Sequence, residues 1–299
     1  MHYGDRVFAG ILKIPAAGLA LLLLSIAYFL YRAASPVIVK HGWAFLTSST
    51  WDPVRDVYGA LPVIYGTVVS SFIAIVIATP LSVGVALFLT EIAPRRTGRV
   101  FGFLVEMLAA IPSVVYGLWG IFVLAPWLRT SVEPFFKTWL GFLPFFSGPP
   151  YGVGMLAAGI ILAVMITPTI SSIAREVFSA IPLQQREAAL GIGATRWEMM
   201  RLAVLQSSRR GLTGAVILGL GRALGETMAV TMIIGNRHEV SLSLFAPGST
   251  MASIIANEYA EATTDTHVAA LVEVGLVLFA VTFVINSIAR LFLSRSGNR

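Results

Sequence analysis

The residues with the clearest chemical potential are an arginine and a glutamate four positions apart, in Gly221-Arg222-Ala223-Leu224-Gly225-Glu226. They lie in an apolar run, 212–235, that carries no other charge. Read as one helix starting near Leu212, this run places Arg222 about 15 Å along its axis, close to mid-bilayer. A charge at that depth costs at least ~2.5 kcal/mol, so it marks function more often than accident. Two chemistries fit. The spacing puts both groups on one helix face, where they form a locked ion pair that keeps helices in register. Alternatively, Arg222 offers a planar fork of donors to an oxyanion while Glu226 holds it between events, a latch that the anion opens. Thr227, and Thr231 beyond it, could add hydroxyl donors to a pathway, although such hydroxyls in membrane helices mostly bond their own backbone. Glu273, in a later apolar run, and Glu106 are secondary partners for the arginine.

Those residues need a scaffold, and composition names its class. The chain has 299 residues, 57% hydrophobic and only 12% charged, with a mean hydropathy of +0.82. That is a polytopic membrane protein, all-α, rather than a soluble domain. The net charge of +6 is scattered through loops between apolar runs, which argues against nucleic-acid binding. There is no cysteine, hence no disulfide or thiolate metal site. The four histidines (His2, His41, His238, His267) show no metal-ligand spacing, and no nucleophile–base constellation marks an enzyme. None of the three lysines stands in a Gly-Lys-Ser/Thr context, so the chain has no P-loop. No catalytic residue, metal or cofactor is expected in this chain, and any energy must arrive through a partner.

Six spans are expected, at about 14–31, 62–90, 107–128, 152–174, 212–235 and 267–293. Pro80 and Gly84 should bend the second. The first is preceded by Arg6 and Lys13 and followed by Ala33-Ala34-Ser35, as in a signal peptide. Its longer apolar run and the intervening Arg32 favour a retained helix. With the N-terminus inside, fourteen loop arginines and lysines fall on the inner side and six on the outer, so both termini should be cytoplasmic. This divides the chain into an N-terminal helix and first external loop (1–60), a core of five helices (61–293) and a short tail (294–299). The outer segment 129–150 reads as an interfacial aromatic belt.

Within the core, the inner loop 175–211 is the least apolar segment. Pro182 suits a helix start, Gln184–Leu190 form helix well, and Gly191 and Gly193 stop it. Thr195-x-x-Glu198 then opens a second helix with a capping box. This is either an amphipathic loop resting on the membrane surface or a preformed helix that enters a partner's groove.

Glu187-Ala188-Ala189, with Gly193 six residues beyond the glutamate and Leu205 further on, resembles the EAA coupling loop of bacterial ABC importer permeases. The resemblance implies a type I ABC importer permease fold in which Glu187, Ala188, Ala189, Gly193 and Trp197 dock on a separate ATPase. A narrower likeness follows. Gly219-Leu220-Gly221-Arg222-Ala223-Leu224-Gly225-Glu226-Thr227-Met228-Ala229-Val230 and Ile234-Gly235-Asn236 resemble the fifth helix of phosphate-specific (Pst) permeases. Ile255-Ala256-Asn257-Glu258-Tyr259 and His267-Val268-Ala269-Ala270-Leu271 are similar to the PstC-type branch of that family. The likeness covers about Arg186 to the end of span six; the first two spans match only in pattern. It implies that Arg222 and Glu226 serve phosphate translocation. It also implies a homologous second permease (PstA type), two ATPase subunits (PstB type) holding ATP and Mg, an extracytoplasmic phosphate-binding protein (PstS type) and a place in the bacterial inner membrane. The alternatives are a permease for another oxyanion, such as sulfate or molybdate, and an ATPase-independent secondary transporter or channel. One departure stands out: Gln206 follows Leu205 where the family has proline, so nothing forces the second loop helix to end there.

Overall fold

The computed structural model describes residues 3–295. His2, Arg299 and most of the 294–299 tail lie outside the described residues. Apart from single turns at Ala44–Thr47 and Pro144–Phe146, the described residues form eleven helical segments and no strand. They are α1 (Tyr3–His41), α2 (Leu61–Ile92), α3 (Arg95–Ala109), α4 (Ser113–Leu140), α5 (Met155–Ser179), α6 (Leu183–Gly191), α7 (196–205), α8 (Arg209–Leu224), α9 (Met228–Ile233), α10 (Met251–Glu258) and α11 (Asp265–Arg295). Five of these, α1, α2, α4, α5 and α11, are unbroken helices long and apolar enough to cross a membrane. The sixth crossing is made by α8 and α9 together, a helix interrupted at 225–227.

That interruption corrects the continuous helix expected over 212–235. Gly221 and Gly225 lower helix propensity by about 1 kcal/mol each, and α8 stops at Leu224 with Gly225 as its cap. A second correction concerns the third span. Pro112 has no N–H and disfavours helical geometry at Ile111. The chain therefore breaks at 110–112, and the span runs over Ser113–Leu140 instead of 107–128. Residues 95–109 form a separate amphipathic helix whose apolar side chains at Val100, Phe101, Leu104 and Leu108 are exposed, a pattern suited to the bilayer interface. The first span is longer than expected, as α1 continues to His41 through Pro36. In α2, Pro80 is accommodated within the helix, whose last turn, Phe88–Ile92, is π-wound.

The main core lies where α2 and α5 pack along their length. Gly159 of α5 lets Ile73 of α2 close in, since a Cβ there would sit 2.5 Å from the Ile73 side chain. Ser82 Oγ donates across the same interface to the Thr167 carbonyl, 3.1 Å. Ile161, Ile166, Ile170, Ala215, Val230 and Ile233 extend this core to α8 and α9. A second apolar cluster joins the end of α1 to α10 and α11 through Val37, Phe45, Tyr58, Met251, Ile254 and Leu271.

The loop after α9 folds back over the start of α5. Carbonyls of Ile233, Ala246 and Leu244 accept from the N–H groups of Gly154, Met155 and Leu156 at 3.0, 3.2 and 2.8 Å. The helix start is thereby capped by main chain where no side chain does so. The aromatic segment packs on this loop, with Phe136 stacked on Phe146 and Phe146 beside Phe245, while Trp139 and Phe142 stay exposed.

Candidate functional site

Arg222 sits in the last turn of α8, half-buried, where the helix's free carbonyls favour a positive charge. Its Nη1 donates to Thr169 Oγ1 on α5 at 2.9 Å. Glu226 lies in the break, its Oε1 accepting from the Ala229 N–H at 3.3 Å. Among the described residues no ion pair involves Arg222. The four-residue spacing brought these groups together only on an unbroken helix, so neither the locked pair nor the closed latch is present. Thr227 Oγ1 donates to the Gly225 carbonyl at 3.3 Å and Thr231 Oγ1 to the Thr227 carbonyl at 2.8 Å, so both hydroxyls serve the backbone. Glu106 pairs with Arg175 of α5 instead of Arg222. Glu273 is buried, 6% exposed, with one carboxylate oxygen lacking a partner; it belongs to α11, and among the described residues no hydrogen bond or ion pair joins it to Arg222.

A guanidinium carries five N–H donors, and among the described residues only the bond to Thr169 is made. The rest are free to meet a polyatomic anion two at a time. Thr169 was invisible to sequence reasoning, because nothing in its own segment sets it apart from Thr167, whose hydroxyl bonds the Ala163 carbonyl of its own helix.

The 175–211 loop folds as its punctuation dictates. Pro182 precedes α6, Gly193 takes φ +90°, and the Thr195/Glu198 capping box opens α7. Hydrogen bonds from the Thr195 N–H and hydroxyl hold the Glu198 carboxyl below the usual carboxylate range. Met199, Met200 and Val204 anchor the loop inward against Leu87 and Phe178. Its far side is open: Glu187, Ala188, Gly193 and Trp197 are exposed, with Ile192 beside them and Ala189 half-buried. α7 ends at Leu205 even without a proline, and Ser208 takes up the Val204 carbonyl through its hydroxyl at 2.5 Å. Sequence reasoning missed Arg186, which joins Glu91 of α2 at 2.9 Å.

At the opposite end of the bundle two histidines converge. Glu258 Oε1 lies 3.1 Å from His238 Nε2, and its Oε2 lies 2.9 Å from both His267 Nε2 and Trp51 Nε1. Separated in sequence, they are brought together by the loop after α9, the end of α10, the start of α11 and the α1–α2 connection. Burial pushes the Glu258 carboxyl up, but hydrogen bonds from His238, Trp51 and His267 outweigh it and hold it below the usual carboxylate range. A carboxyl with a lowered folded pKa stabilises above its unfolded value, about 4.3 for glutamate, and that contribution is lost as pH falls through the folded value. Hydrogen-exchange protection of 236–267 is thus expected to hold from pH 7 to 5 after correction for intrinsic rates and to collapse below about 4. Glu258→Gln should cut it at neutral pH by about tenfold or more, since bonds to a charged partner are worth ~1.5–3 kcal/mol each.

Six crossings, one of them broken beside a half-buried arginine, and an anchored loop with an exposed outer face define a membrane permease subunit. Residues 78–297 match the family model of binding-protein-dependent transport system inner membrane components. The phosphate transport system permease protein PstC of Mesorhizobium japonicum is 48% identical over 99% of this chain and 91% of its own length. Its counterparts in Xylella fastidiosa (strain 9a5c) and Pasteurella multocida are 46% and 43% identical, over 99% and 98% of this chain and 92% and 93% of their own lengths. The chain belongs to the binding-protein-dependent transport permeases and, within them, to the family of PstC phosphate transport permeases. In fold it resembles a bacterial ABC transporter involved in import of the acidic polysaccharide alginate (TM-score 0.61, 17% identity, 98% of this chain and 100% of that one). It also resembles the MetNI methionine ABC transporter in an inward-facing form (TM-score 0.55, 20% identity, 82% of this chain and 96% of that one).

Proposed function

We propose that this chain is the permease subunit of an ATP-driven inorganic phosphate importer and forms half of its translocation pathway in the bacterial inner membrane. The observation that carries the reading is Arg222, held by Thr169 at the break of a membrane helix with most of its donors unspent. Broken helices supply polar groups at mid-membrane where substrates pass. Phosphate as the anion rests on the likeness to the PstC permeases. Both termini face the cytoplasm, and the 175–211 loop offers Glu187, Ala188, Ala189, Gly193 and Trp197 to an ATPase. A PstA-type permease completes the pathway, two PstB-type ATPases hold ATP and Mg, and a PstS-type protein delivers phosphate from outside. Glu226, Thr227 and Glu273 are secondary pathway candidates.

The test is uptake of labelled phosphate into proteoliposomes carrying the complete complex, with ATP supplied on the loop side. Uptake should require ATP and resist a hundredfold excess, on the order of 10², of sulfate or molybdate. Strong competition by sulfate would move the assignment to another oxyanion. Uptake without ATP or ATPase would make the chain a secondary transporter or channel.

A further inference from the structure

Arg186 and Glu91 bear on how motion at the 175–211 loop reaches Arg222, given the reading above that this loop docks on an ATPase. One guanidinium closes several contacts at once. It presents a two-point fork to Glu91, with Nη2 2.9 Å from Oε1 and Nε 3.3 Å from Oε2. Its Nη1 donates to the Ile181 carbonyl at 2.5 Å and its Nη2 to the Phe178 carbonyl at 2.8 Å. Those carbonyls lie at and just beyond the last turn of α5, where partial negative charge collects. Glu91 belongs to the π-wound end of α2. The two side chains are only 16% and 7% exposed, so α6 is fastened to α2 and α5 by a pair largely shut away from screening salt.

Toward α3, no ion pair fastens α6 among the described residues. A cavity of about 760 Å³ lies beside the pair, lined by Glu91, Leu183 and Arg186 together with Gly98, Arg99 and Phe103 of α3, and separates α6 from α3. α3 is tied instead to α5, through Glu106 and Arg175. A push on α6 is therefore delivered to α2 and α5 before α3. These two helices are interlocked by Gly159 against Ile73 and by Ser82 on Thr167, so they respond as one body. Thr169, which holds Arg222, precedes Phe178 by nine residues on α5, roughly 13 Å of continuous helix.

We propose that Arg186 and Glu91 form the joint that carries loop motion onto the α2–α5 body and, through Thr169, onto Arg222. They are positioning residues, since neither touches the transported anion. A lysine would keep the charge at 186 but lose the fork and the paired carbonyl bonds.

The experiment compares Arg186→Ala, Arg186→Lys and Glu91→Gln with the wild type in proteoliposomes of the complete complex. It reads phosphate moved per ATP hydrolysed, together with co-purification of the ATPase. The ratio should fall roughly threefold to tenfold in Arg186→Ala and less in the other two, with the ATPase still bound and hydrolysing. A parallel loss of uptake and hydrolysis, leaving the ratio unchanged, overturns the joint. Failure of all three variants to assemble overturns it as well, because it marks a purely structural tie. A wild-type chain that retains no ATPase would instead remove the docking reading underneath.

Discussion

Replacing Arg222 with alanine is expected to lower phosphate uptake at least ~100-fold, because two hydrogen bonds to a charged partner are worth ~1.5–3 kcal/mol each. The guanidinium is half-buried, one N–H is committed to Thr169, and no carboxylate among the described residues neutralises it. The anion would therefore be its charged partner during transport, and alanine leaves nothing in that place. Arg222→Lys should recover only part of the activity, since an ammonium presents a point charge in place of a planar fork. Thr169→Val removes the hydroxyl that aims the arginine and should cost about tenfold, one bond of the same kind. Initial rates of labelled phosphate uptake in proteoliposomes, at matched complex density, measure all three. Uptake that survives Arg222→Ala unchanged would falsify the role of the arginine. Glu226→Gln serves as the comparison. Its carboxylate meets a main-chain N–H and not Arg222, so a locked-pair mechanism predicts equal losses in the two variants, and the structure predicts unequal ones.

The largest stability effect is expected from Gly66→Ala in α2. A Cβ at that position would stand 2.1 Å from the Ser249 carbonyl oxygen. The obstacle is main chain, held by its neighbours: Met251 N–H donates to Thr67 Oγ1 at 2.9 Å, and the Thr250/Ser253 capping box fixes the turn that follows. Neither side can give way cheaply, so a loss of at least ~2 kcal/mol is expected. Gly84→Ala, on the same helix, is the control. Nothing lies within 4 Å of its added methyl, and alanine favours helix by about 1 kcal/mol. Thermal unfolding of the two variants in one detergent should move in opposite directions. Equal losses would show that the helix rejects any added methyl, and the close approach to Ser249 would then explain nothing.

What could be read from the sequence follows the range of the forces involved. Apolar runs report on the bilayer, which acts on whole segments, and they mark most of the crossings. Local main-chain chemistry was equally legible: Pro182, Gly193 and the Thr195–Glu198 box act within a few residues, and the 175–211 loop folds accordingly. Interruptions were harder. Pro112 sits inside an apolar run, and hydropathy does not register its missing N–H. At the 225–227 break, Gly225 and the β-branched Thr227, with Gly221 one turn before, outweigh a charge spacing that looked helical. The side-chain constellations were not legible at all. Thr169 meets Arg222 across 53 positions, Arg186 meets Glu91 across 95, and Trp51 meets Glu258 across 207. Such meetings depend on which helices become neighbours, and no local pattern encodes that.

The interrupted sixth crossing also says something about water. Ending α8 at Leu224 and restarting at Met228 releases main-chain carbonyls and N–H groups from helical partners deep inside the apolar span. Hydrocarbon offers them nothing, at several kcal/mol for each group left bare. Part of the break is satisfied from within, the Gly225 carbonyl accepting from Thr227 Oγ1 and the Ala229 N–H donating to Glu226 Oε1; any group left over calls for water, so an aqueous inlet reaching the arginine is the expected consequence. Such an inlet would raise the local dielectric, so that a lone guanidinium could rest there at tolerable cost. A fluorophore on a cysteine introduced at Gly225 would report that wetness directly, in a chain with no cysteine of its own.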